Sequence, residues 1–351
     1  MTVLPNPPMI AIRAVPGMPE LTAGDDIARL LLAAGPGLVA GDVVTVSSKA
    51  VAKADGRVAV GTRADLLDAE SDRTVARRGP LRIVRTPHGL VLAAAGVDAS
   101  NTAAGTVVPL PLDPDGSARS LRHRLFERAE VNVAVIVTDT AGRAWRTGQT
   151  DIAVGCAGLE PVLDLAGRPD ATGRPLEVTA PAVADELAGA AELVLAKAAR
   201  TPVAVVSGLG DLVLPPGVHG PGAAALVRPE DDDLFGLGAT DAVHAAVRRA
   251  AGDARGFPAD PAAPVAVLDE LTPLSTAGQD CVSVVVSGPG DSPLVVVRPV
   301  AGRRTADPDV LLGTGSVGER LRVLAWARGL RLTATPAPPG ATAAWAAHRR
   351  P

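Results

Sequence analysis

Two carboxylates in this chain stand where apolar runs break off. Asp98 follows the run in HGLVLAAAGVDASN (His88–Asn101), with Ser100 and Asn101 close behind it. Asp139 closes VNVAVIVTDT (Val131–Thr140), and Thr140, Gly142, Trp145 and Arg146 come next. Hard cations such as Mg2+ take oxygen ligands, commonly one or two carboxylates with phosphate oxygens. Two aspartates from neighbouring strand ends, each beside a neutral oxygen donor, meet that need. Taken singly, each also suits a plainer role, capping a turn or a following helix.

Ser47-Ser48-Lys49-Ala50-Val51-Ala52-Lys53 follows the strand-like VVTV (Val43–Val46). Hydroxyls and two ammonium groups at that place suit a polyphosphate, with lysine as the point charge. A solvated helix start is the alternative. The G-x-x-x-x-G-K-[ST] of a Walker loop is absent. Gly313-Thr314-Gly315-Ser316-Val317-Gly318 matches G-x-G-x-x-G, but few apolar residues precede it and no acidic residue follows at about twenty positions. It reads as helix packing. Asp231-Asp232-Asp233 reads as a solvated loop. The five histidines are scattered, with no H-x-x-x-H or Ser-His-Asp arrangement, and His88 reads as a structural turn residue. Cys156 reads as a small buried hydrophobe.

The elements that must position these groups are strands and helices in irregular alternation. Strands are predicted at Met9–Ala14, Val43–Val46, on both sides of the Thr86–Gly89 turn, at Val131–Thr140 and in TPVAVVSGLG (Thr201–Gly210). Helices are predicted after Asp25 or Asp26 as cap, in SARSLRHRLFERAE (Ser117–Glu130), in Ala184–Ala199 and in Asp241–Ala250. The alternation is not a clean βαβα series, so the expected class is α+β rather than a doubly wound sheet. Composition shifts at Ala251–Pro264, rich in Gly, Pro, Asp and Ala. This predicts a first domain over 1–250, a linker over 251–264 and a smaller domain over 265–351. The smaller domain carries the strand-like CVSVVV and LVVVRPV, a helix at Leu311–Leu330, and a partly disordered tail, ATPAPPGATAAWAAHRRP.

The 351 residues are 47% hydrophobic and 21% charged, which is enough apolar side chain for a core, and that core must be built from Ala, Val and Leu because aromatics make up only 2%. The net charge of −4 and the lack of a basic block argue against a nucleic-acid partner. Two isolated cysteines make neither a disulfide framework nor a zinc site. MTVLPNPPMIAI is not a signal peptide, and no stretch approaches the ~20 apolar residues of a membrane span. No membrane partner and a cytoplasmic location are therefore expected.

The segments VVTVSSKAVAKADGR, HGLVLAAAGVDASN, VTDTAGRAWRTGQTDIAVGCAG and ADELAGAAELVLAKAARTPVAVVSGLG, in that order, resemble the coenzyme F420-0:L-glutamate ligase family, over roughly residues 10–245. The resemblance implies an unusual α+β fold, an intertwined homodimer, and a GTP- and metal-dependent amide ligase. Such an enzyme adds L-glutamate to the phospholactyl end of coenzyme F420-0, then further glutamates through γ-linkages. It implies Mg2+ or Mn2+ held by Asp98 and Asp139, a second ion held with help from Thr140, and K+ as a further candidate cation. It places GTP against Met18, Pro19, Glu20 and Leu21, against Ser48, Lys53 and Asn101, and against the loop Leu195, Ala196, Lys197, Ala198, Ala199, Arg200, Thr201 and Pro202. Lys197 departs from the family, many of whose members carry glutamine there. An ammonium cannot ligate Mg2+, so either the second ion is bound differently or Lys197 touches phosphate.

The chemistry implied is transfer of the γ-phosphoryl of GTP to a carboxylate, then attack of an amine on the acyl phosphate. It needs positioning and charge neutralisation rather than a protein nucleophile. Arg143 and Arg146 suit phosphate or glutamate carboxylate on chemical grounds, and Arg146 joins Asp98 and Asp139 as a candidate catalytic residue. The C-terminal part faintly resembles the central helix of a nitroreductase-like α/β module. It has no arginine-rich start to hold FMN phosphate, so no flavin is expected. The competing readings are an amide ligase for another acidic acceptor and a non-catalytic nucleotide-binding or scaffolding protein.

Overall fold

The computed structural model describes residues 9–195, 201–233, 235–248 and 262–350. From the N-terminus, β1 (Ala11–Ala14) leads to α1 (Ile27–Ala33), and β2 (Val43–Ser47) runs directly into α2 (Ser48–Ala54). A subregion of short elements follows: β3 (Ala59–Val60), α3 (Arg63–Leu67), β4 (Arg73–Arg78), β5 (Leu81–Arg85), β6 (Val91–Ala93) and β7 (Thr106–Val107). Then come α4 (Pro114–Ala129), β8 (Ala134–Gly142), β9 (Gln149–Ala157), α5 (Val183–Leu195) and β10 (Val203–Ser207). These belong to the first of two compact units, which ends at Arg228.

The main sheet of this unit has the order β1-β10-β2-β8-β9, with β2 and β8 parallel and the other pairs antiparallel. Its inner strands are mostly apolar because both faces are covered, with Thr45 and Thr138 buried among them. Val44, Val46, Val135, Val137, Val203 and Val205 pack under α1 and α4, while Val43, Ala134, Ile136 and Val206 pack under α5. Asp26 is the cap of α1, accepting from the Arg29 amide at 3.1 Å, whereas Asp25 turns back on Thr22. The architecture is mixed α+β, as expected.

The second unit begins at Pro229. It contains α6 (Ala239–Arg248), α7 (Pro264–Thr276), β11 (Val282–Ser287), β12 (Leu294–Pro299), α8 (Pro308–Ala327), β13 (Leu330–Thr335) and β14 (Ala343–Arg349). Its sheet is fully antiparallel in the order β11-β12-β14-β13, and Val267, Leu268, Leu271, Val295, Val297, Val317 and Leu321 form its core with α7 and α8. Composition placed α6 with the first domain. In the structure its Ala245 and Ala246 pack with Trp326 of α8, inside the second unit. Most of the linker expected at 251–264 lies outside the described residues. No described helix is long and apolar enough to cross a membrane.

Two expectations need correction. The tail is not partly disordered: β14 is an inner strand, with Ala344 and Ala347 buried. Its alanines hid it, since strands are recognised by branched and aromatic side chains. Asp98 does not end a strand: β6 stops at Ala93 because Ala94, Ala95 and Gly96 all take positive φ. Asp98 instead forms an isolated bridge with Val108.

The G-x-G-x-x-G run lies inside α8, and packing explains it. A Cβ on Gly318 would stand 2.7 Å from the Trp345 ring, so the missing side chain lets the helix approach β14. Gly318→Leu is expected to destabilise the second unit by roughly 1–3 kcal/mol through overpacking. Chemical unfolding followed by tryptophan fluorescence checks this, and an unchanged midpoint would contradict the packing role.

Candidate functional site

β2 and β8 are parallel neighbours, with Ser47 opposite Thr138. β2 therefore ends beside Thr138 while β8 runs on through Asp139 to Gly142, and the carboxyl ends of parallel strands are where open sheets leave a crevice. Ser48, the first residue of α2, donates its hydroxyl to Asp139 Oδ1 at 2.7 Å. The next residue, Lys49, forms an ion pair with Asp98 and donates to the Ser100 carbonyl and hydroxyl, each at 2.9 Å. Adjacent residues of one short helix thus hold the two sequence-predicted carboxylates, one each. Arg63 also reaches Asp98, from its Nη2 at 3.2 Å, while its Nε donates to the Val97 carbonyl.

The two carboxylates are tuned in opposite directions. Partial burial alone would push Asp98 up, but hydrogen bonds from Lys49 and from the Ser100 amide and hydroxyl outweigh it and hold the carboxyl at about 2. At Asp139 burial dominates and raises the carboxyl to about 7. Asp151 and Asp98 add to the rise, while the Ser48 hydrogen bond and Lys49 oppose it. Electrostatic coupling between Asp98 and Asp139 places them in one local field.

Beside this pair, Lys53 is nearly buried and bonds to the Glu20 carboxylate and to the Asn101 carbonyl, the latter at 2.9 Å. Glu20, Lys53 and Asn101 are therefore brought together, with Asn101 at a φ of 51°. Leu21 is buried in the core and Met18 packs against it, so in this turn Glu20 supplies the polar group. Pro202 accepts the Ser47 amide at 2.9 Å, which sets the entry to β10 beside the start of α2. Leu195 is buried at the end of α5. Ala196, Lys197, Ala198, Ala199 and Arg200 lie outside the described residues.

Thr140 donates its hydroxyl to Asp151 on β9, at 2.8 Å. Arg146 lies in the exposed β8–β9 connection, where its amide bonds to Arg143, and its side chain is not gathered with the aspartates. Arg63 and Asp151 are the neighbours that motif spacing did not single out. Asp151 carried no local signal, because its inward register is set only by the pairing of β9 with β8. Arg63 had none, because its reach to Asp98 depends on how α3 docks. Cys156 is buried, with its thiol pushed up by burial to about 12, which excludes it as a nucleophile at neutral pH.

The donor set fits a hard cation. Asp98, Asp139 and Thr140 offer oxygen atoms only, and a site completed by water and phosphate needs no further carboxylates from the protein. Among the described residues no group of three or more His, Cys, Asp or Glu side chains gathers as an all-protein cage.

Comparison with known proteins places the chain in a family. Residues 62–208 match the family model F420-0:Gamma-glutamyl ligase. The chain is 38% identical over 253 residues to the coenzyme F420:L-glutamate ligase of Methanothermobacter thermautotrophicus, covering 64% of this chain and 98% of the relative. It is 35% identical over 247 residues to the protein of the same name from Archaeoglobus fulgidus, covering 64% and 96%. The corresponding protein of Methanopyrus kandleri is 38% identical over 253 residues, covering 65% and 98%.

Proposed function

The chain belongs to the F420-0:gamma-glutamyl ligase family, and from that premise we propose that it is an amide-forming ligase that joins L-glutamate to coenzyme F420-0 at the expense of GTP, then extends the product through γ-linkages. The observation that carries the reading is the pairing of Ser48 with Asp139 and of Lys49 with Asp98 on successive residues of α2.

In the proposed reaction a carboxylate oxygen of the acceptor attacks the γ-phosphorus of GTP. The bond to the bridging oxygen breaks, GDP leaves and an acyl phosphate results. The glutamate amine then attacks the acyl carbon, loses a proton and expels phosphate. Asp98, Asp139 and Thr140 are the residues that would hold Mg2+ or Mn2+, and a cation there would screen the terminal phosphates. Ser48 orients Asp139. Lys49 and Arg63 supply positive charge for phosphate oxygens, and Lys53 anchors the nucleotide side of the site with Glu20 and Asn101. Arg146, on its exposed connection, is free to meet the glutamate carboxylate. We read the second unit as a reduced nitroreductase-like module without FMN, a reading supported by the long α8 running into β13, and the working form as a homodimer.

The test is incubation of the purified chain with GTP, Mn2+, L-glutamate and coenzyme F420-0, followed by mass spectrometry. Added glutamate units with stoichiometric GDP support the ligase. GTP bound but unconsumed points instead to a non-catalytic binding protein. Lys53→Met is expected to raise the KM for GTP at least about tenfold, the scale of one lost charge-assisted hydrogen bond, while leaving the KM for glutamate unchanged. Steady-state kinetics with each substrate varied checks this. An unchanged GTP KM would remove Lys53 from the nucleotide site.

A further inference from the structure

Asp151 is 5% exposed, and its carboxylate takes one hydrogen bond, from the Thr140 hydroxyl at 2.8 Å. Among the described residues no Lys, Arg or His forms an ion pair with it. Asp139, in the paired strand, likewise has a hydroxyl partner and no basic one in contact. Asp98 differs, with Lys49 and Arg63 both on its oxygens. A buried carboxylate without a paired cation is expensive, and proteins retain such groups where a cation is to be received. The negative charge on the β8–β9 pair is thus left uncompensated by the protein's own side chains.

The hydrogen bond also has a direction. A threonine hydroxyl has one proton and two lone pairs. With the proton committed to Asp151, the Thr140 oxygen presents only lone pairs to anything else, the orientation a metal ligand requires. Outer partners of this kind tune cation affinity by about 10–100-fold in other sites.

Resting on the reading that Asp139 and Thr140 hold a divalent cation, we propose that Asp151 is a positioning residue of that site. It fixes the Thr140 hydroxyl with its oxygen outward and supplies a buried negative charge that draws the cation to the β8–β9 pair. The role is separate from that of Asp98, whose charge is already matched by Lys49 and Arg63.

The experiment is a titration of the full, chelator-stripped chain with Mn2+ in the absence of nucleotide, with free Mn2+ read by electron paramagnetic resonance and folding checked by thermal unfolding in chelator. Asp151→Asn keeps the shape and an acceptor oxygen while removing the charge. It is expected to weaken Mn2+ binding at least about tenfold with an unfolding midpoint no lower than that of the parent. Thr140→Val is expected to weaken the same binding, and Thr140→Ser to restore it. If Asp151→Asn binds Mn2+ like the parent while Asp139→Asn does not, Asp151 is idle and the cation reading stands without it. If the parent binds no Mn2+, or Asp139→Asn leaves binding intact, the cation reading fails and this inference with it. Should Asp151→Asn fail to fold, the threonine pair decides: parent-like binding by Thr140→Val overturns the proposal.

Discussion

Asp139→Asn is expected to abolish ligation and at the same time to make the metal-free protein more stable. The carboxyl sits at about 7 in the folded chain, raised mainly by burial, against an ordinary value of 3.8. Between those two values the folded state binds the extra proton, so stability falls as pH rises through this window and the full cost is present above about 7. Asparagine keeps a hydrogen-bond acceptor for Ser48 but carries no charge to bury. At pH 8 in chelator the gain is on the order of 2 kcal/mol, allowing for the partial exposure of the side chain, and it vanishes near pH 4. The predicted loss of turnover is at least about a thousandfold, since the group proposed to hold the cation is gone. Differential scanning calorimetry across pH 4–8, run beside the glutamate-addition assay, checks both halves. A variant that is less stable at pH 8, or that still turns over, would contradict the assignment.

The second expected result has the opposite sign in stability. Asp98→Asn should also remove activity, by at least about a hundredfold, but it should destabilise the fold at neutral pH. Asp98 is held at about 2 by Lys49 and Ser100 against its own partial burial. Its contribution is therefore fully present above the ordinary value of 3.8 and lost as pH falls toward 2. The asparagine variant should lie below the parent in unfolding midpoint at pH 7 and converge on it near pH 2. It also leaves Lys49 and Arg63 on an uncharged partner. Equal midpoints at pH 7 would show that the ion pairs contribute nothing to folding. Two aspartates of one proposed site thus give opposite pH signatures because one is matched by cations and the other is not.

Much of this site was legible before any fold was known. Asp98 and Asp139 stand out as acids closing apolar runs, and SSKAVAK after VVTV marks polar groups at a strand end. The G-x-G-x-x-G run lies in a packed helix, where Gly318 serves the contact between α8 and β14 and Gly313 the one with Cys281. Asp151 and Arg63 escape a sequence reading for different reasons. Asp151 lies in a strand whose inward register only the pairing with β8 reveals, and Arg63 acts across a docking surface. The inner strand β14 reads as tail in the sequence because alanine carries little strand signal until a helix packs over it.

Local chemistry alone determined most of the strand and helix segments, a helix start capped at Asp25 or Asp26, the α+β class and the acids that could bind a cation. These depend on side-chain period, capping and residue type, all of which act over a few residues. Tertiary structure decided that Ser48 meets Asp139 and Lys49 meets Asp98, because β2 and β8 pair in parallel and the turn from β2 into α2 falls beside Thr138 and Asp139. It also decided the opposite tuning of the two carboxylates. Burial and long-range ion pairs set that tuning, and neither exists until distant segments of the chain have packed.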